Sequence, residues 1–292
     1  MNANCEPCGS CSISGKKAMV DKLQDDLNSH LAAGDYRSAY PVSIRILDEA
    51  RDLYGAGSAD YAVLLNDAAS IERAIGLYED AERHFSAAGR ALRETLGERD
   101  PEYATTLNNL AGLHRLMGKH EEAEAEFKRA LEIYRSALGE GDWHTISCYN
   151  NIGLLWQDMG RCEEARGCHV SALELLQASD APEAQASIAT TLMNGAVCST
   201  KLGDLDEAVA LYDYAMELII QVHGKEGAAY AGALNNVAAH HVEIGEFERA
   251  CELLTESRAL TERLFGTDST TYELVCENLA YAQARSQAVD RT

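Results

Sequence analysis

The stretch Tyr103–Trp143, YATTLNNLAGLHRLMGKHEEAEAEFKRALEIYRSALGEGDW, decides the fold. It reads as two amphipathic helices that meet at Gly118, closed by Leu138-Gly139 and a polar turn. Moved by 42 residues in either direction, it falls on itself. Asn66, Asn108 and Asn150 are in register, as are Gly34, Gly76, Gly118 and Gly160, and Ala39, Ala81, Ala123 and Ala165. One inserted residue shifts the frame, after which Gly203 and Gly245, and Ala208 and Ala250, continue at the same spacing. A fixed period of this size marks a repeat array.

The spacing has a physical reason inside the unit. Gly118 breaks the first helix and permits the tight turn that folds the second back against it. Ala123 then sits where the helices cross, and a larger side chain would force them apart. Leu107, Leu110, Leu113 and Leu116 give the first helix an apolar face; Ala123, Phe127, Ala130 and Leu131 do the same for the second. Neither helix buries that face alone, so each pair needs a neighbour.

The order helix, glycine turn, small-residue crossing, aromatic and alanine resembles the tetratricopeptide repeat. The 42-residue length, with NNLA in the first helix and LG closing the second, is similar to the longer repeat of kinesin light chains. Residues 103–143 carry the full pattern, 61–101 and 230–270 most of it, and the units around Gly34, Gly160 and Gly203 a more worn form. The resemblance covers about nine-tenths of the chain. It implies an all-α, right-handed superhelical solenoid of six antiparallel pairs and a closing helix. At the level of function it implies peptide or protein binding.

The expected pairs span about 17–55, 60–97, 101–139, 143–179, 183–224 and 228–266, with a closing helix at 270–288 and a tail at 1–15 outside the array. Pro41 is expected early in its helix, where first-turn donors lack partners. Pro101 suits a first helical position with Asp100 as its cap. The frame shift falls beside Pro182, a natural place for a hinge.

Composition sets limits on partners. The 292 residues carry a formal charge of −22. Phosphate binding needs a basic surface, so this charge argues against nucleic acid and against an anionic membrane. It is compatible with a merely solvated surface or with a preference for a basic partner. No apolar run approaches a membrane span. Cys148, Cys162, Cys168, Cys198, Cys251 and Cys276 are scattered through helices as small core residues, which points to a reducing, cytoplasmic compartment.

The tail holds Cys5, Cys8 and Cys11 in CEPCGSC, two overlapping C-x-x-C steps. Such spacing lets thiolates converge on zinc or an Fe–S cluster, yet no fourth ligand lies nearby. Three readings stay open: a disordered, reducible tail, a metal or cluster contact, and thiol exchange. The metal reading would make the chain an accessory factor of a metallo- or Fe–S enzyme.

For the array itself, the resemblance places the first helices on a concave groove, with the asparagine ten residues before each turn glycine facing it. Those are Asn66, Asn108, Asn150 and Asn235, with Met193 and Gln24 in the same place elsewhere. A row of side-chain amides can hold an extended peptide by its backbone, although some can instead bond to the next helix. Ser70, Arg73, Arg115, Gln157 and Lys201 lie further along the same helices. The next asparagine of each unit (Asn109, Asn151, Asn194, Asn236, Asn278) reads as an interhelix bond. No clustered basic pair favours a carboxylate clamp.

An enzyme is disfavoured. The acidic pairs Glu121-Glu122, Glu163-Glu164 and Asp206-Glu207 recur where carboxylates favour a helix N-terminus. His114, Trp156 and His241 share one register and read as packing residues; His144 with Cys148, and Cys168 with His169, are the remaining ligand candidates. The expectation is therefore a non-catalytic adaptor, self-association being open.

Overall fold

The computed structural model describes residues 9–178 and 184–289, with side chains from residue 14 onward. All regular structure among the described residues is helical: α1 Gly9–Ala32, α2 Tyr36–Tyr54, α3 Ala59–Ala74, α4 Tyr78–Thr95, α5 Pro101–Leu116, α6 His120–Ala137 and α7 Trp143–Asp158. These are followed by α8 Cys162–Gln177, α9 Ala184–Leu202, α10 Leu205–His223, α11 Ala228–Glu243, α12 Phe247–Phe265 and α13 Thr270–Val289. Two compact units divide between Asn151 and Ile152, inside α7.

In the first unit α1 packs on α2, α2 on α3, α3 on α4, α4 on α5 and α5 on α6, and the first helices α3 and α5 also touch. In the second, α8 packs on α9, and the series continues through α13, with α11 also meeting α9 and α13. The result is an all-α solenoid of helix pairs. Contacts run to the next element or the next repeat, which is how a repeat array buries its surface.

The turns repeat one hydrogen-bond pattern. At Gly118, φ is +73°, the Gly118 N–H donates to Arg115 O at 3.1 Å, and the Lys119 N–H reaches back to His114 O at 2.9 Å. This closure uses the carbonyls that a helix end leaves unpaired, and it needs the left-handed backbone glycine adopts freely. The same backward bond recurs from Leu77 to Glu72, from Arg161 to Trp156 and from Glu246 to His241.

The crossing alanines Ala39, Ala81, Ala123, Ala165, Ala208 and Ala250 are all fully buried. Four residues on stand Phe85, Phe127, His169, Tyr212 and Leu254, each at most 3% exposed. Burying a side chain of phenylalanine size stabilises by about 1.5–3 kcal/mol. Asp100 Oδ1 accepts from the Glu102 N–H at 2.9 Å, and Pro101 opens α5.

Two local expectations need correction. α1 begins at Gly9, upstream of Lys17, because no proline lies between Pro7 and Pro41 to stop it. Pro41 lies in the second turn of α2, which starts at Tyr36, so the Arg37 carbonyl loses its usual helical donor. Cys5, Cys8 and the Pro182 turn lie outside the described residues, and the Cys11 side chain is likewise not described.

Candidate functional site

In the first unit, α1 and α3 border a cavity of about 760 Å³. Its wall carries Asp21, Gln24, Asp25 and Asn28 from α1 and Asp67, Ser70 and Arg73 from α3. Asp67 is exposed by its surface area, yet desolvation by the surrounding protein first and the Glu102 charge second push its pKa up to about 6. Arg73 is held below the ordinary guanidinium range by burial and then by the charge of Arg115. Its Nη1 donates to Asn109 O at 3.4 Å and lies 2.9 Å from where a Cβ on Gly112 would be, so the glycine makes room for the guanidinium.

Asparagines link neighbouring first helices like rungs. Asn109 Nδ2 donates to Asn66 Oδ1 at 3.2 Å, and Asn151 Nδ2 to Asn108 Oδ1 at 3.1 Å. In the second unit Asn278 Nδ2 donates to Asn235 Oδ1 at 2.9 Å. The asparagines expected in the groove are therefore also the acceptors of the stack. Each rung uses the oxygen, and the amide N–H groups of Asn66, Asn108 and Asn235 have no partner among the described residues. Asn150 keeps the same register in α7, whereas Met193 replaces the acceptor in α9 and leaves Asn236 no amide to reach.

The other groove candidates divide. Ser70 Oγ donates back to Asn66 O at 3.0 Å, so its proton is spent within α3. Gln157 departs from its expected groove role. Its Nε2 lies 2.7 Å from Asn194 O, 3.0 Å from Cys198 Sγ and 3.3 Å from His169 Nε2, so the amide is turned into the stack. Lys201 and Asn235 instead border a second cavity of about 270 Å³, with α9, α11 and α13 around it.

The histidines are more differentiated than their shared register suggests. His114 is buried between two carboxylates, its Nδ1 2.8 Å from Glu126 and its Nε2 3.1 Å from Glu82. Glu126 raises its pKa most, against the opposing effect of burial, and Glu82 adds to the rise. Lys119 lies 2.7 Å from Glu82 and, with His114, lowers that carboxyl's pKa. His241 remains half-buried against Glu246 at 2.8 Å, and its neighbour His240 is the buried one.

The thiols of the two helical ligand candidates, Cys148 and Cys168, are buried. Cys148 Sγ is buried against Phe127 O at 3.5 Å, while His144 bonds Asp142 at 2.9 Å. Burial pushes the Cys168 thiol up to about 11 and holds His169 down to about 4. Among the described residues, no three His, Cys, Asp or Glu side chains form a metal-ligand group. No helix among them is long and apolar enough to cross a membrane.

Comparison with known proteins agrees with the geometry. The tetratricopeptide repeat model matches residues 60–136, 102–178 and 187–263. Among solved structures the chain is similar to BtubC (BKLC) from P. vanneervenii, at 25% identity and a TM-score of 0.62, over 72% of this chain and 83% of that one. It is similar to the nearly identical TPR-like repeats of a Podosopora anserina protein described as a kinesin light chain, at 17% identity and a TM-score of 0.55, over 69% and 95% of the two chains. Pseudomonas aeruginosa pilF matches at 17% identity and a TM-score of 0.53, over 89% and 97%. The last two likenesses show the fold alone. No curated protein matches the chain. With its family match spanning more than half the residues and its rungs repeating at one spacing, the chain belongs to the tetratricopeptide repeat family.

Proposed function

We propose that the chain is a non-catalytic adaptor that holds an extended, preferably basic segment of a partner protein along its first helices. Repeats of this family support a protein-interaction role in general. The observation that carries the finer reading is the asparagine rung. One face of each amide holds neighbouring repeats together, and the other leaves N–H donors for the carbonyls of a peptide backbone. Backbone recognition of this kind tolerates many sequences.

Charge narrows the choice. The wall formed by Asp21, Asp25 and Asp67 is acidic, and a lysine or arginine side chain beside Asp67 would stabilise the carboxylate that burial disfavours. The overall charge of −22 steers a basic segment toward the protein.

The test is an array of short peptides of graded charge, read with Asn108→Asp and Asn151→Ala proteins. Asn108→Asp keeps the acceptor for Asn151 but removes the outward N–H donors. Binding of neutral peptides should fall several-fold in that variant, while Asn151→Ala lowers stability more than affinity. If basic peptides bind no better than acidic ones, or Asn108→Asp binds normally, the reading fails.

A further inference from the structure

Thirteen residues after the turn glycine, the second helices carry a large apolar side chain in four pairs: Leu47, Leu131, Leu173 and Met216. The last pair has Arg258, and α4 has Gly89. Glycine weakens a helix interior, so the exchange needs a reason. Backbone conformation supplies none, because Gly89 is not among the glycines with positive φ. Crowding supplies none either. A Cβ at Gly89 would meet Thr106 Cγ2 at 3.6 Å and Tyr103 Cε2 at 3.9 Å, which are ordinary contacts. What the glycine does is leave space.

The space is a notch of about 220 Å³ between α4 and α5, with Phe85, Leu107 and Leu110 supplying apolar lining. Tyr103 shows its effect. The equivalent Tyr61 and Tyr230 share hydrophobic clusters with Leu47 and Met216 and are 8% and 6% exposed. Tyr103, facing the glycine, is only half-buried.

The polar part of the lining is cationic. Arg90 and Arg93 lie about one turn apart on α4, with Ser86 one turn before them. Where Arg90 stands, other pairs have Asp48, Glu132, Glu174 and Glu217, so the charge is reversed at this position in a chain of net charge −22. In the next repeat Glu132 pairs with Arg129, and Arg135 with Glu140. The Arg90 and Arg93 guanidiniums have no partner among the described residues, nor do the Ser86 and Tyr103 hydroxyls. Both arginines are exposed, so their N–H groups are open to an occupant.

These groups set the chemistry of the occupant. The apolar lining takes a hydrocarbon body, and a protein cavity of about 150 Å³ is enough to hold benzene. Two guanidiniums without a carboxylate favour an anion and repel a cation. We propose that the notch is a binding site for an organic anion with a ring-sized apolar body, its carboxylate or phosphate held by Arg90 and Arg93. None of its lining residues borders the cavity between α1 and α3, so the site is separate from the peptide reading.

The experiment titrates phenylacetate and phenyl phosphate into the full chain and follows leucine and threonine methyl signals by NMR. Phenylacetamide removes the charge, phenethylamine reverses it, and acetate removes the body. At least one of the two aromatic anions should shift the Leu107, Leu110 and Thr106 methyls saturably. It should bind about three- to tenfold tighter than the amide, and the tighter of the two identifies the headgroup. Gly89→Leu restores the residue type of Leu47 and Leu131 and should abolish binding without lowering the melting temperature. Arg90→Glu restores the acid of Glu132 and should erase the preference for the anion while amide binding remains. No saturable shift with either anion would overturn the proposal. So would equal binding of anion and amide, acetate or phenethylamine binding as tightly as the aromatic anions, binding that survives Gly89→Leu, or a preference that survives Arg90→Glu.

Discussion

His114 in the first unit and His169 in the second are both buried in the same kind of helix stack, yet they end in opposite states. His114 is flanked by Glu126 and Glu82, which raise its pKa. His169 meets the Gln157 amide, and burial drives its pKa to about 4. The repeat supplies the burial, and the flanking carboxylates of His114 turn its pKa in the opposite direction. The pairing is also transposable: Glu72 with His84 in one repeat becomes His114 with Glu126 in the next, at the same 12-residue separation. On the His169 side the compensation is steric instead. Ala69, Ala111, Ala196 and Ala238 share a register with Gly153, and a Cβ there would lie 2.4 Å from His169 Cε1.

The comparison breaks most forcefully at Gly153. Gly153→Ala should destabilise by up to about 3 kcal/mol through overpacking, beyond any gain in helix propensity, as read from denaturant midpoints. Gly153→Ala with His169→Phe recreates the Ala69–Phe85 and Ala111–Phe127 combination and should recover most of the loss. A double variant as unstable as the single one would show that the two residues are not a pair.

The double variant also changes the pH profile. Because His169 in the folded chain titrates at about 4, below its ordinary 6.5, the unfolded chain binds more protons between those values. Stability from this residue should therefore fall as pH drops from about 6.5 to about 4, and the double variant should lose that slope.

Glu126→Gln comes next, at about 2 kcal/mol near pH 6, since it removes the carboxylate that charges a buried ring. Here the sign reverses. His114 is raised above 6.5, so its contribution is complete below that value and is lost as pH rises through the folded pKa. Thermal melts across pH should show an alkaline decline that shrinks in Glu126→Gln. The smallest effect belongs to the rungs: Asn151→Ala should cost about 1 kcal/mol, while Asn236→Ala, opposite Met193, should be nearly silent. Similar losses in both would mean that the amide bond is not what matters at this position.

The solenoid was legible because period, turn glycines and crossing alanines are local signals repeated many times. Asn109, Asn151 and Asn278 were also legible as interhelix donors, although their acceptors turned out to be the groove asparagines themselves. Gln157 was not, since its partners Asn194, Cys198 and His169 lie in other helices. The Gly153–His169 exchange and the odd Gly89 both stand out once registers are aligned. Their meaning needed the Cβ distance in one case and the open notch beside Tyr103 in the other. The start of α1 at Gly9 escaped because periodicity weakens in a polar stretch that nothing forbids from being helical.

Met193 has a mechanical consequence. If α9 and α11 were pulled apart, no amide rung between Asn236 and Met193 would resist, whereas Asn278 and Asn235 would still tether α13 to α11. Under load, the seam between α9 and α11 leans instead on the Thr200–His240 hydrogen bond, a hydroxyl–imidazole clasp in place of the amide rung.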